Sequence, residues 1–287
     1  MKSGQTLVII HQKKKIFERQ SSHSFSLIDC FRKNWEASGL TIKDVYGTDE
    51  FIPADAAFLH VDLSVITDEY LNFASRYPKV INGRVHDIRK SVISKNILSE
   101  DDTYEGQVIV KTNLNAGGGP ELASFFIKRA YHYLRRRLPA WAKPIGIYSQ
   151  NDYTVFENPA LVPRKFYHDP KLVVEKFLPE KWGKVYCHRR YLFLGGKEVN
   201  QYWLSKDPLC FSGDEIVLDN KPIEPELRSL REKLGFDYGA FDYVMRDGKI
   251  ILFDVNKTPG TGSSLDYLDE LWLTRLVNTL KDGIFTL

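Results

Sequence analysis

The sequence predicts an α/β protein, with a small parallel α/β lobe ahead of two lobes of mixed α+β character. Three observations carry this. Strand and helix patterns alternate through the first 85 residues. A glycine-rich loop at 112–120 stands directly between a strand and a long helix pattern. Near the end, GFDYGAFDYVMRDGKIILFDVNKTPGTG (235–262) reads as two apolar strands closing on the turn RDGK. Alternating strands and helices imply parallel strands joined by crossovers. The expected lobes are 1–85, 86–172 and 173–287.

The elements follow in order. LVII (7–10) reads as a buried strand. FSLIDCFRKNWEAS (25–38) has Leu27, Ile28, Phe31 and Trp35 at helical spacing, with Gly39 where a C-terminal cap belongs. AAFLHVDL (56–63) is a second strand, TDEYLNFASRY (67–77) a helix with Thr67 as N-cap, and KVIN (79–82) a third strand. Residues 86–106 look helical and then turn-rich. VIVK (108–111) is a strand, and a long helix pattern runs from Glu121 to about Leu138. From Pro139 to about Lys171 no clear period is visible. VVEKF (173–177) is a strand, and 189–204 a hairpin turning at Gly195 and Gly196. PELRSLREKLGF (225–236) is a helix capped by Gly235, and a last helix covers 264–281.

The chain has 287 residues, 43% of them hydrophobic, enough for a sizeable core. With 40 basic and 37 acidic residues the net charge is +3, which argues neither for nor against an anionic partner. Cys30, Cys187 and Cys210 are far apart, so neither a disulfide framework nor a zinc site is expected. The first strand runs straight into HQKKK and does not read as a secretory segment, and no run reaches the roughly 18 apolar residues of a membrane span. A soluble, cytoplasmic protein without a membrane partner is expected.

Three motifs point to chemistry. In the closing hairpin Asp242 and Asp254 return beside each other, and Asn256 shares a face with Asp254 because side chains alternate along a strand. Three oxygen donors suit Mg²⁺, a hard cation that keeps company with phosphates. The plainer reading is a polar hairpin edge in water. The second motif is NAGGGP (115–120), whose glycines free backbone amides to face an anion, with a helix N-terminus behind and Lys111 just before. It is neither a GK[ST] phosphate loop nor GxGxxG, and the plainer reading is a flexible surface turn. The third is VVEKFLPE (173–180), an apolar strand with carboxylates where a flat base could lie against the backbone. Arg190 opens a strand on which a guanidinium can grip phosphate or carboxylate, and Arg189 should face the opposite way. Cys187 and His188 are adjacent on a strand, so they do not form a nucleophile–base pair.

In their order and spacing these pieces resemble the ATP-grasp superfamily, in particular the glutathione synthetase, ribosomal-protein S6 glutamate ligase and D-alanine–D-alanine ligase group. The resemblance spans roughly 80–285 and rests on Lys90 in HDIRKSVISKNIL, Lys111 with its loop, VVEKFLPE, Arg190 before LFLGG, GAFDYV and FDVNKTPG. It implies an ATP-grasp fold, with an N-terminal parallel α/β lobe and two lobes that clamp ATP. It also implies ATP-dependent activation of a carboxylate as an acyl phosphate, followed by attack of an amine. Carried over, Lys90 and Lys111 meet ATP phosphates, and Asn115, Gly117, Gly118 and Gly119 close over them. Glu175 and the backbone of Lys176, Phe177 and Leu178 meet adenine, and Glu180 meets ribose. Asp242, Asp254 and Asn256 hold Mg²⁺, with Mn²⁺ as the alternative. Arg190 faces the transferring phosphoryl group, with Lys111 as its catalytic companion. The implied ligase acts on a small-molecule or peptide substrate, and homodimers are common in the family. A kinase on the same scaffold and a non-catalytic nucleotide-binding protein are the alternatives.

Several features depart from the family pattern. Asp254 stands where the family carries Glu, one methylene longer. Lys95 competes with Lys90 for the first phosphate. The segment from Gly119 to Glu175 is longer than in compact members. IKRAYHYLRRRLPAWAK (127–143) interleaves cations with Tyr131, Tyr133 and Trp141. A solvated basic face is the preferred reading, and nucleic acid is not among the expected partners. His11, Lys13, Asn82 and Arg84 lie at strand ends, where open α/β sheets bind ligands.

Overall fold

The computed structural model describes residues 1–13, 26–118, 121, 152–210, 215–219, 222–260 and 270–287. Gly119, the basic stretch 127–143 and the expected helix beyond Glu121 lie outside them. Contacts divide the chain into two compact units: Met1–Asp62 with Ile66–His86 and Pro179–Leu287, and Leu63–Val65 with Asp87–Leu178.

The first unit holds the expected parallel α/β motif. Strands β1 (Thr6–His11), β2 (Thr41–Tyr46), β3 (Ala56–His60) and β4 (Val80–Ile81) form a four-stranded sheet in the order β2-β1-β3-β4. Every pairing is parallel. Helix α1 (Leu27–Ala37) buries Leu27, Ile28, Phe31 and Trp35, the face its spacing predicts. It ends at Ser38, and Gly39 follows at φ +89°, a conformation that favours glycine. Helix α2 (Asp68–Ala74) has Thr67 at the N-cap position, yet the side chain makes no capping bond. The Thr67 carbonyl serves instead, accepting from Tyr70 and Leu71 N–H at 3.1 and 3.2 Å. Strand β2 is absent from the sequence-based expectation. Only Val45 of TIKDVY is buried, because β2 lies at the sheet edge, so its apolar signal is weak.

The same unit contains an antiparallel sheet. It orders β11 (Glu215–Asp219), β10 (Lys197–Ser205), β9 (Val185–Leu194), β12 (Tyr238–Arg246) and β13 (Lys249–Asn256), with β8 (Glu180–Trp182) on β9. The hairpins at Gly195–Gly196 and at Asp247–Gly248 both form as the turn residues predict. Strands β8 and β11 were not legible: β8 is three residues long and half exposed. Helix α5 (Pro225–Leu234) ends on Gly235 in the left-handed region. One core joins both sheets: Leu7, Ile9, Phe58, α1 and α6 (Glu270–Leu280) pack with Leu192, Leu194, Val199, Tyr238 and Ala240. One face of the antiparallel sheet is thus apolar at the end that meets the helices.

The second unit is built on a three-stranded sheet, β6-β5-β7 (Thr154–Phe156, Val108–Thr112, Leu172–Lys176). Helix α3 is a single turn, Lys90–Ile93, shorter than the helical text at 86–106 suggests, because Ser94 is already extended. Helix α4 (Arg164–Tyr167) lies in the segment without a clear period. Val108, Val110, Val162, Phe166, Leu172 and Val174 form this unit's own core.

Candidate functional site

In the first unit the acidic hairpin closes in the expected register. Asp242 lies directly opposite Asp254, and Ala240 opposite Asn256. The register shifts between Asp242 and Tyr243, so Phe253 is an extra residue on β13. A bulge of this kind re-aims side chains and is common beside functional sites. Asn256 Oδ1 accepts from the Thr258 N–H at 2.8 Å, and Asp254 Oδ1 from the Val255 N–H at 3.1 Å, which orients both side chains.

Arg190 joins this pair through the neighbouring strand. Its partner across β9 and β12 is Asp242, and its partner across β9 and β10 is Gln201. Gln201, Arg190, Asp242 and Asp254 therefore form one row across four strands, on the face whose other end is apolar core. Arg190 Nε lies 3.6 Å from Asp242 Oδ1. His188, two residues earlier on the same face, brings Nε2 to 3.3 Å from the same oxygen. Arg189 faces away and grips Glu180 with Nε at 2.8 and 3.0 Å. Glu180 also accepts from the Met245 N–H at 2.8 Å, so it clamps β8 to the sheet. Cys187 is buried, and burial followed by Glu180 pushes its thiol up to about 12, away from the thiolate form.

Asp242, Asp254 and Asn256 present two carboxylates and an amide. Among the described residues no group of three or more His, Cys, Asp or Glu is placed to hold a metal. Two carboxylates with an amide oxygen still fit Mg²⁺, which takes few protein ligands and completes its shell with water and phosphate.

The second unit brings Lys90, Lys111, Glu175 and the start of the loop together. Lys111 on β5 is 6% exposed and pairs with Glu175, itself 2% exposed, on β7. Ser94 donates to the other Glu175 oxygen. Lys90 is 2% exposed and donates from Nζ to the Leu114 carbonyl at 3.1 Å, one residue before the loop. Asn113 holds the turn of α3 by accepting from the Lys90 and Ser91 N–H groups at 2.9 Å. In the loop, Ala116, Gly117 and Gly118 all have positive φ, at 46°, 69° and 75°. The chain turns left-handed through three residues, which glycine permits and alanine tolerates at a cost. The Asn115 N–H donates to Ser64 Oγ at 2.8 Å and anchors the loop base. At the strand exit, Lys176 N–H donates to Asn96 and Phe177 N–H to Gln107, at 3.0 and 2.8 Å. Lys95 takes no part in this cluster of bonds.

Sequence reasoning missed Gln201 and His188. His188 is one step of alternation from Arg190 and Gln201 lies opposite Arg190 on the next strand, so only the β9–β10 and β9–β12 registers place them beside Asp242. Of the strand-end candidates, Asn82 Oδ1 accepts from the Asp237 and Tyr238 N–H groups at 3.0 and 2.9 Å, a structural clamp. His11 bonds Asp44 at 2.8 Å, and Lys13 bonds Asp49 at 2.6 Å.

No family model matches the chain. No curated protein matches it. Among solved structures it is similar to D-alanine–D-alanine ligase from Bacillus anthracis, with 11% identity, a TM-score of 0.46, and 98% of this chain and 94% of that one covered. It is also similar to a RimK domain ATP-grasp protein from Sphaerobacter thermophilus, with 11% identity, a TM-score of 0.46, and coverage of 96% and 99%. The macrocyclase MdnC from Microcystis aeruginosa, bound with precursor peptide MdnA, aligns at 10% identity and a TM-score of 0.48 over 98% of this chain and all of that one.

Proposed function

We propose that the protein is an ATP- and Mg²⁺-dependent ligase that joins a carboxylate to an amine through an acyl phosphate. The observation that carries this reading is the row in which Arg190 adjoins the opposed pair Asp242 and Asp254. A guanidinium beside two carboxylates suits a phosphoryl group and the cation that accompanies it. Asp242, Asp254 and Asn256 would hold Mg²⁺, which neutralises phosphate charge when bound. Arg190 faces the phosphoryl oxygens and favours the charge that develops on them in transfer. In the second unit, the backbone of the glycine loop and the ammonium groups of Lys90 and Lys111 offer donors to phosphates. Glu175 serves first to hold the Lys111 ammonium in place.

The reaction balances simply. A carboxylate oxygen attacks the γ-phosphorus, ADP leaves, and the acyl phosphate forms. The amine then attacks the acyl carbon, phosphate leaves, and the nitrogen loses a proton. Phosphoryl transfer of this kind needs position and charge neutralisation more than a protein base. The substrate is a small molecule or a peptide.

The test is MgATP binding by calorimetry, together with ADP release in the presence of hydroxylamine and the twenty proteinogenic amino acids as carboxylates. Wild-type protein is expected to bind MgATP and to form a hydroxamate. Asp254→Asn is expected to abolish ADP release while its circular dichroism spectrum is unchanged. Full turnover by Asp254→Asn would remove the proposed metal site. Label from γ-phosphate that appears on a hydroxyl acceptor, with no free phosphate, would replace the ligase by a kinase.

A further inference from the structure

We propose that Gln201 is a ligand-binding residue, whose Nε2 amide donates to an oxygen of the phosphoryl or acyl-phosphate group that Arg190 faces. The inference rests on the proposed ligase reading and adds a residue that no motif marks.

Gln201 is 1% exposed. Its amide cannot be turned at will. Trp203 Nε1 is a donor only, and it points at Gln201 Oε1 at 3.3 Å, so the oxygen must face the indole. The Nε2 end is then fixed by exclusion, and it is buried without a hydrogen-bond partner among the described residues. Arg190 Nε, the next side chain in the row, has the Asp242 carboxylate at 3.6 Å and makes no hydrogen bond among the described residues. Buried donors in native proteins are nearly always satisfied, and the Gln201 amide beside the Arg190 guanidinium calls for an acceptor that arrives from outside.

The order of groups along the row identifies that acceptor. From β10 to β13 it runs amide N–H, guanidinium, carboxylate, carboxylate. Strands stand about 4.8 Å apart, so donors and acceptors are separated by about one strand spacing in each half. Such a row favours an anion over Gln201 and Arg190 and a cation over Asp242 and Asp254. A tetrahedral phosphoryl group carrying Mg²⁺ has that polarity. A cationic or purely apolar ligand would leave the Gln201 donor unmet. The apolar end of the face, Leu192, Ala240 and Val199, belongs to the core and offers nothing polar.

The test uses MgADP with orthovanadate, which mimics the transferring phosphoryl group without any carboxylate or amine substrate. The full chain is titrated with MgADP alone and with MgADP plus vanadate. Wild-type protein should hold MgADP more tightly when vanadate is present. Gln201→Met should lose about 10- to 100-fold of that gain, the worth of one hydrogen bond to a charged group. Gln201→Glu, which keeps an acceptor for Trp203 but repels an anion, should lose it entirely. It supplies the answer if Gln201→Met does not fold. A vanadate gain that survives both substitutions overturns the inference. A wild type that binds MgADP with no vanadate gain overturns it as well, and leaves nucleotide binding intact. A wild type that binds neither MgATP nor MgADP removes the ligase reading together with this residue.

Discussion

Lys111 and Glu175 are both buried, and each is the other's charge partner. Burying two charges is costly, and removing one leaves the other uncompensated. Lys111→Ala should therefore cost about 3–5 kcal/mol in urea unfolding. Replacing both with apolar residues, as Lys111→Met with Glu175→Leu, should recover most of that loss while MgATP binding stays absent. Stability would then be separated from ligand binding within one ion pair. His60 presents a different case. Burial, then repulsion from His11, lowers its pKa to about 3, and Ser26 Oγ lies 3.1 Å from its Nε2. An unfolded histidine titrates near about 6.5, so below that pH the unfolded chain takes up a proton that the folded chain refuses. The contribution is full above about pH 6.5 and is lost as pH falls toward about 3. His60→Gln should flatten the fall in urea midpoint between pH 7 and pH 4.5. An unchanged slope would mean that His60 is already charged in the folded protein.

The glycine loop and the acidic hairpin differ in how their sequences specify them. In the hairpin, Asp247 and Gly248 both have positive φ, and the turn they make returns Asp254 to Asp242 at a spacing that can be counted from the letters. Here local text sufficed. In the loop the letters announced flexibility but not its form. Three successive left-handed residues make a tight turn that a β-branched side chain cannot enter without strain. Gly117→Val should cost about 1–2 kcal/mol of stability yet weaken MgATP binding by a larger factor, read by calorimetry on both counts. Equal losses would mean that the loop acts only in folding. The strands that went unread share one feature. β2, β6 and β11 are edge strands, and β6 and β8 are only three residues long, so β2, β6 and β8 bury little and leave no clean alternation. A strand becomes visible in sequence only when one of its faces must avoid water.

The two compact units have separate cores, and each carries part of the proposed chemistry. A nucleotide that binds the folded chain and not the unfolded one must stabilise it by mass action. At 100 times its dissociation constant, the magnesium complex of a non-hydrolysable ATP analogue should add about 2.7 kcal/mol and raise Tm accordingly. Asp254→Asn should remove the magnesium-dependent share of that shift. A wild-type Tm indifferent to the analogue would count against nucleotide binding by either unit.

Local chemistry was readable from the letters because it depends on near neighbours. The parallel α/β start, the glycine turns and the opposed acids each follow from alternation or from a short count along the chain. The partnership of Lys111 with Glu175 and the row from Gln201 to Asp254 did not. They depend on which strands pair and in what register, and β9 meets β12 across β10, β11 and α5, which lie between them in the chain. Side chains so far apart in the chain leave no periodic trace of each other, so their meeting is set by the packing of whole sheets.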